Sequence, residues 1–365
     1  MNVYLDYAAT TPLDSEILDH MLPYFKGEFG NPDSAHAYGR RTAYAVSQAR
    51  DRIARVLNVQ PGEVYFTSGG TEADNWAARR LGKGSVCVSA IEHHAVLQSA
   101  QLRAGGVTVA QANEQGIITA QAAAAALGGD TGLVCVMAVN NETGCIQPLK
   151  EISALCRLRG ALLFSDCVQA ACTQNLKEIC GLCDAISLSA HKLYGPHGAG
   201  ALVVKKGSGL APLISGGEQE RGLRGGTLNV AAIVGFSYAL ERAQAEREAF
   251  VSRSAFLRER FEQTVLRALG SAVQIDGENR APNISHITFS RGESLLHRLD
   301  LAGVAASGGA ACSAQAALPS HVMRAMGRSE EQARSGIRFS FGKHTTEEEV
   351  DFAAQQVIAC AGVRS

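Results

Sequence analysis

Charged residues make up only 19% of this chain and nearly cancel, leaving a net charge of −1. A surface without a basic excess offers no field to hold nucleic acid or an anionic membrane. Apolar runs of membrane-spanning length are also missing. The longest apolar windows, such as Leu133 to Val139, have the length of strands. No segment reads as an export signal, because Met1-Asn2-Val3-Tyr4-Leu5-Asp6 leads straight into strand-like sequence. The ten cysteines therefore read as reduced thiols of a cytoplasmic protein. They do not pair into metal-ligand blocks: Cys180-Gly181-Leu182-Cys183 is a lone CxxC, and a zinc site wants two. Cys87, Cys135, Cys156, Cys180 and Cys183 read instead as small buried hydrophobes. Internal repeats and low-complexity segments are absent, and Ala122 to Ala126 is only an alanine-rich helix.

What the chain does have is apolar material, 46% of 365 residues, enough for one large and one smaller domain with separate cores. From about Val64 to Val204, short apolar runs alternate with polar helical stretches. Val64–Thr67, Val86–Ala90, Val107–Ala110, Leu133–Val139, Leu162–Ser165, Ala185–Ser189 and Ala201–Val204 read as seven strands. Thr71–Leu81, His94–Ala104 and Lys150–Arg159 read as helices between them. This pattern predicts an α/β fold with a mostly parallel sheet covered on both faces, with ligands at the carboxyl ends of its strands. Ala239 to Ala268 is striped by Phe250, Leu257, Phe261 and Val265, with Gly270 as a C-cap. It predicts one long helix into the smaller C-terminal domain. A last helix opens at Thr346, with Glu349 three residues on as a capping box.

The polar residues that stand out lie just past strand ends. Lys192 follows the apolar Ala185, Ile186 and Leu188, with Ser189 and His191 before it and Gly195-Pro196 after it. A lysine there suits a Schiff base to a phosphorylated aldehyde, and equally a snorkelling surface lysine. Ser68-Gly69-Gly70-Thr71-Glu72 links a strand to a helix. It reads as an anion site at a helix N-terminus or as a plain tight turn. Asp166, with Gln169 three residues on, could face a pyridinium nitrogen, bind a metal or cap a helix. His93 could stack on a flat ring and move protons, and His94 beside it competes for that role. Asn140-Asn141 ends another strand. Gly216 to Thr227 is dense in glycine, carries Arg221 and Arg224, and could reach a phosphate or cover a neighbouring subunit's site. Ser307-Gly308-Gly309-Ala310-Ala311-Cys312-Ser313 holds nothing that builds a core, so Cys312 is expected to be exposed on a mobile loop.

These segments occur together, in this order, in one family. YLDYAATTP at Tyr4, FGNPDSAH at Phe29, FTSGGTEADN at Phe66, IEHHAVL at Ile91 and VNNETGCIQP at Val139 are followed by DCVQA at Asp166 and SAHKLYGPHGAGAL at Ser189. Then come QERGLRGGTLN at Gln219, SGGAACSA at Ser307 and IRFSFGKHTTEEEVD at Ile337. The chain resembles the NifS/IscS-type cysteine desulfurases, pyridoxal-phosphate enzymes of the aspartate-aminotransferase fold type (fold type I). The resemblance implies a large domain with a mostly parallel seven-stranded sheet at 13–248. It also implies a smaller α+β domain at 1–12 and 249–365 that carries the cysteine loop. The matched roles are Lys192 for the Schiff-base lysine, Cys312 for the persulfide-forming nucleophile and His93 for the imidazole over the ring. Asp166 matches the partner of the pyridine nitrogen, and Gln169 and Asn141 match groups near the phenolate oxygen. Gly70, Thr71, Ser189 and His191 match the phosphate cup, with Thr227 reaching it from the other subunit. Arg338 matches the arginine that holds the substrate carboxylate, with Asn141 beside it. Gly308 and Ala310 stand where the family usually has serines, and Gly225-Gly226 replaces a serine-glycine pair. The chain ends at Ser365, short of the tail with which IscS-type members dock an iron–sulfur scaffold protein.

The expectation is thus a homodimer that turns L-cysteine into L-alanine and passes a persulfide from Cys312 to an acceptor protein. Rival expectations are a selenocysteine lyase or cysteine sulfinate desulfinase, and a non-catalytic dimer that binds anions. None needs a metal, nucleic acid or membrane.

Overall fold

The computed structural model describes residues 1–290, 292, 294–308 and 319–362. A two-residue strand, β1 (Val3–Tyr4), leads through an irregular segment to α1 (Ser15–Lys26) and α2 (Ala37–Leu57). The seven expected strands follow: β2 (Val64–Thr67), β3 (Ser85–Ser89), β4 (Val107–Ala110), β5 (Thr131–Cys135), β6 (Leu162–Asp166), β7 (Ala185–Ser189) and β8 (Gly200–Val204). They form one sheet in the order β2-β8-β7-β6-β5-β3-β4. Six strands run in one direction, and β8 runs antiparallel to both neighbours. Strands β3, β7 and β8 are buried along their whole length, so they read as short runs of apolar and small residues without a charge.

Successive side chains leave a strand on opposite faces, so each strand feeds two cores. Leu133, Phe164 and Ala185 pack with Trp76, Ala77 and Val96 of α3 (Gly70–Arg80) and α4 (His94–Ala100). Their neighbours Val134, Leu163 and Ile186 pack on the other face. There they meet α2, α5 (Ala120–Ala126), α6 (Leu149–Arg159), α7 (Leu176–Leu182) and α8 (Val230–Ala245).

The expected long helix across Ala239–Ala268 is in fact two. Helix α8 stops at Ala245, Glu246 has φ −88° and ψ 0°, and α9 (Arg247–Leu269) starts afresh. The two helices serve different cores. Phe236, Ala239 and Leu240 of α8 belong to the sheet's core, whereas Leu257, Phe261 and Val265 of α9 belong to a second one. Gly270 caps α9 in the left-handed region, at φ 53°.

Beyond it come β9 (Val273–Ile275), β10 (Ile284–Phe289), α10 (Leu295–Leu301), β11 (Val304–Ala305) and β12 (Ser307–Gly308). Next are α11 (His321–Ala325), α12 (Glu330–Arg334), β13 (Gly336–Ser340) and α13 (Glu347–Gly362). Strands β12-β13-β10-β9 make an antiparallel sheet, and β1 runs parallel to β11. Val3 and Leu5 pack with Phe339, Phe341 and Val357, so the N-terminus belongs to this second core. The capping box at α13 forms: the Thr346 N–H donates to Glu349 Oε2 at 2.7 Å, and the Glu349 N–H to Thr346 Oγ1 at 3.2 Å. From Leu5 the chain crosses to the large sheet. Ser340 N–H donates to Leu5 O at 2.8 Å, and Thr11 N–H donates to His191 O at 3.0 Å. Among the described residues no helix is long and apolar enough to cross a membrane.

Candidate active site

The crossing segment roofs a cavity of about 350 Å³ beyond the carboxyl ends of the parallel strands. Gly70 and Thr71 reach it after β2, His93 after β3 and Asn141 after β5. Asp166 ends β6, with Gln169 following, while Ser189, His191 and Lys192 lie at and after the end of β7. Arg338 arrives from β13 of the second sheet. Ala8 and Ala9, which the sequence did not single out, close the lining from the N-terminal segment. Thr227 lies outside this lining and is exposed. Cys312 lies outside the described residues.

Lys192 follows β7 by a single turn, and its ammonium donates to Ala8 O at 2.5 Å and Ala9 O at 2.7 Å. Gln169 Nε2 donates to the same Ala8 O at 2.7 Å. The N-terminal segment thus fixes both side chains. Asp166 Oδ1 accepts from Val168 N–H at 2.8 Å. Its carboxyl is raised above the usual range by burial, against the pull of that N–H and of Lys192.

His93 caps α4, its Nδ1 accepting from Ala95 N–H at 3.1 Å. Burial, with Lys192 and His94 nearby, pushes it down to about 4. It is therefore neutral near pH 7, and with Nδ1 accepting from Ala95 its proton sits on Nε2. His94 does not line the cavity; its ring lies 4.4 Å from that of His321. The structure separates the adjacent asparagines in the same way. Asn140 is wholly buried and ties the turn together, donating to Ile91 O at 2.9 Å, while Asn141 lines the cavity.

Gly70 begins an 11-residue helix whose first N–H groups lack intrahelical acceptors. A Cβ at position 70 would sit 2.7 Å from Val168 Cγ2, so any larger residue would have to displace the Val168 side chain. His191 Nδ1 lies 3.0 Å from Thr10 Oγ1, and burial pushes the imidazole down to about 4. The Gly216–Thr227 loop is tied to the same corner by Arg224, which donates to both oxygens of Glu72 at 2.8 and 3.0 Å. Glu220, in the left-handed region at φ 47°, is held by Arg50 through two bonds of 2.6 and 3.0 Å. That pairing offsets the strain of a non-glycine residue there.

Arg338 is 3% exposed. One guanidinium nitrogen donates to Asn141 O at 2.7 Å and another to Asp6 Oδ1 at 2.8 Å. Its Nε has no hydrogen-bond partner among the described residues. A buried guanidinium at the wall of a cavity suits a carboxylate.

Sequence reasoning missed three buried acids beside this site. Asp74 lines the cavity one turn after Gly70, a spacing that puts both on one face of α3. Glu142 Oε2 accepts from Ser320 Oγ at 2.5 Å, and burial pushes its carboxyl up to about 7. Glu92 Oε1 accepts from Ser89 Oγ at 2.5 Å and Met137 N–H at 2.7 Å, while Oε2 has no partner among the described residues. Burial raises Glu92 to about 8.

Between about pH 4.5 and 8 the folded chain therefore holds a proton on Glu92 that the unfolded chain has lost, and stability falls as pH rises. His93, His191 and His321, all pushed down to about 4, act in the opposite sense only below about 6.5. From pH 6.5 to 8 the acids prevail. Glu92→Gln is expected to shrink the stability lost across that window by roughly 1–2 kcal/mol, from about 1.4 kcal/mol per pH unit and one proton. Denaturant unfolding at the two pH values checks this. An unchanged difference would show that Glu92 is already ionised at pH 6.5.

The aminotransferase class-V family model matches residues 3–352 of this chain. The cysteine desulfurase IscS of Dictyoglomus turgidum is 40% identical over 365 residues, spanning 96% of this chain and 92% of that protein. A solved NifS-like protein superposes with a TM-score of 0.89 at 32% identity, covering 98% of this chain and 99% of the other. SspA, solved in complex with cysteine, superposes with a TM-score of 0.80 at 33% identity, covering 93% of this chain and 98% of its own. Matches of this extent and identity, on a fold with the same large sheet, establish that the chain belongs to the aminotransferase class-V family, among its NifS/IscS-type cysteine desulfurases.

Proposed function

We propose that the protein is a pyridoxal-phosphate-dependent cysteine desulfurase, converting L-cysteine to L-alanine and passing the sulfur through Cys312 to an acceptor protein. The observation that carries this reading is the convergence of Lys192, Asp166 and Arg338, from three separate strands, on one cavity. Its volume, about 350 Å³, suits a small cofactor with its substrate.

The family depends on pyridoxal phosphate, and the residues here fit it. A buried carboxyl, an amine and a helix N-terminus line the one cavity. When bound, the cofactor supplies an aldehyde for an amine and a protonated ring that draws electrons from Cα. Lys192 Nζ would hold the aldehyde and, when free, would take the Cα proton of the substrate. Asp166 would keep the ring nitrogen protonated, His93 would cover the ring, and Gln169 and Asn141 would serve its phenolate oxygen. Gly70, Thr71, Ser189 and His191 hold the phosphate, joined by Thr227 from a second copy of the chain. Arg338 holds the carboxylate of L-cysteine. The Cys312 thiolate attacks the substrate sulfur, so an S–S bond forms and the Cβ–S bond breaks. The electron pair left at Cβ would take a proton, assisted by His93, Lys192 would return the proton to Cα to give alanine, and the enzyme would keep the persulfide. In this reading 13–248 is the cofactor-binding domain, and 1–12 with 249–365 is the domain that brings Arg338 and Cys312.

The homodimer is supported by the exposed Thr227 and by Phe29 and Tyr38, which stack at 5.2 Å yet are 62% and 50% exposed. Visible absorbance of the purified protein, with and without L-cysteine, tests the function alongside product assays. A cofactor band and equal amounts of alanine and sulfide are expected once a thiol reductant releases the persulfide. Bound cofactor without alanine would overturn the reading. Light scattering should give a dimer; a monomer that holds the cofactor tightly would remove Thr227 from the site.

A further inference from the structure

Asp74 and Ser187 are buried beside Asp166, yet the proposed chemistry gives neither a part. Asp74 is 2% exposed and Ser187 fully buried. Ser187 of β7 faces Asp166 of β6 directly across the strand pair. Its Oγ lies 2.6 Å from Asp74 Oδ1, and the strand register sets Ser187 beside Asp166 on the same face of the sheet. One hydroxyl thus stands between two buried carboxyls. A hydroxyl has a single proton to donate, though it can accept others. Two ionised carboxylates cannot both be served by it, and their mutual repulsion would go unscreened. One arrangement satisfies every group. A protonated Asp74 would donate to Ser187 Oγ and free the Ser187 proton to turn toward an ionised Asp166, which accepts from Val168 N–H.

We propose that Asp74 is a positioning residue, a neutral acid that acts through Ser187 to hold Asp166 ionised and oriented toward the cofactor's ring nitrogen. The inference rests on the reading that pyridoxal phosphate occupies the cavity. The surroundings of Asp74 agree with it. Burial raises its carboxyl well above the usual range, with Asp166 and then Glu92 adding to the rise against the Ser187 bond. The Cys135 thiol is the other titratable group that feels Asp74, while Lys192 acts on Asp166. Asp166 is thus the member of the pair that a cation and a backbone N–H favour as the anion.

The test uses the full chain and added pyridoxal phosphate, with affinity measured across pH. Affinity falls on the acid side as Asp166 takes up a proton. Asp74→Asn keeps a donor for Ser187 and removes a group already neutral, so the midpoint of that fall stays in place. Ser187→Ala strips a donor from Asp166 and moves the midpoint up by about one unit, weakening binding about ten-fold at that pH. If Asp74 were the anion, Asp74→Asn would remove a like charge and move the midpoint down by about a unit. That result, or an unmoved midpoint in Ser187→Ala, overturns the proposal. Infrared spectroscopy of the cofactor-free chain gives a second readout. A protonated carboxyl band at neutral pH should vanish in Asp74→Asn and shift to higher frequency in Ser187→Ala, with Glu92→Gln identifying the separate band of Glu92. Absence of an Asp74 band sinks the relay but not the cofactor. Failure to bind pyridoxal phosphate sinks the reading of the cavity and leaves the infrared result to decide the relay.

Discussion

Lys192→Ala should abolish turnover of L-cysteine, by at least about 10³-fold, and with it the borohydride-reducible link between protein and pyridoxal phosphate. The size follows from two duties resting on one amine. Lys192 Nζ is held by Ala8 O and Ala9 O, carbonyls of a segment that is itself pinned to Ser340 and His191. No water or neighbouring side chain reproduces an amine on that mount. Removing a positioned general base alone costs about 10²–10⁴-fold, and the covalent anchor is lost as well. The fold should survive. Ala8 O keeps its bond from Gln169, and losing hydrogen bonds from one partly buried ammonium costs about 1–3 kcal/mol. Borohydride treatment followed by peptide mapping checks the assignment. If the cofactor is still fixed to Lys192→Ala and the labelled peptide lies elsewhere, the lysine has been misassigned.

The main sheet was legible because strands buried on both faces leave apolar runs that nothing else explains. The reversal of β8 was not, since Gly200–Val204 is as apolar as its neighbours and strand direction leaves no mark on composition. The break at Glu246 was hidden for a related reason. No proline or glycine stands between Ala239 and Ala268, and the helix divides only because its halves bury their stripes in different cores. At the site, polar residues just past apolar runs announced themselves, as Lys192, Asp166 and His93 did. Asp74, Ser187 and Glu92 did not, because each looks ordinary in its own helix, strand or turn. Their interest comes from distances across elements, such as the 2.6 Å between Ser187 and Asp74. Arg338 could be picked out only through the family resemblance. On its own it is an arginine in a buried strand, and what marks it is an Nε left without a partner.

Cys312→Ser should lose nearly all sulfide and alanine production from L-cysteine, about 10³-fold or more, while keeping the cofactor spectrum and its response to L-cysteine. In the proposed reaction, proton removal at Cα would need Lys192 and the ring, and breaking the carbon–sulfur bond would also need a thiolate at the substrate sulfur. Cys312 lies outside the described residues, but the chain on either side of it is placed. It leaves from Ser307, paired with Arg338 on β13, and returns at Ser320, whose hydroxyl donates to Glu142 one residue after Asn141. His321 Nε2 lies 2.9 Å from Glu92 O, next to His93, and Val322 and Met323 pack into the large sheet's core. Both flanks therefore stand beside the cavity, one next to the residue assigned to the substrate carboxylate. A serine there is a far weaker nucleophile toward sulfur and cannot store it as a persulfide. The same substitution separates the desulfurase from its relatives. Selenium leaves carbon more readily, so turnover of selenocysteine should fall much less than turnover of cysteine. If Cys312→Ser consumed L-cysteine at close to the unaltered rate, Cys312 would be a bystander. The chemistry would then be that of a selenocysteine or sulfinate lyase built on the same cofactor site.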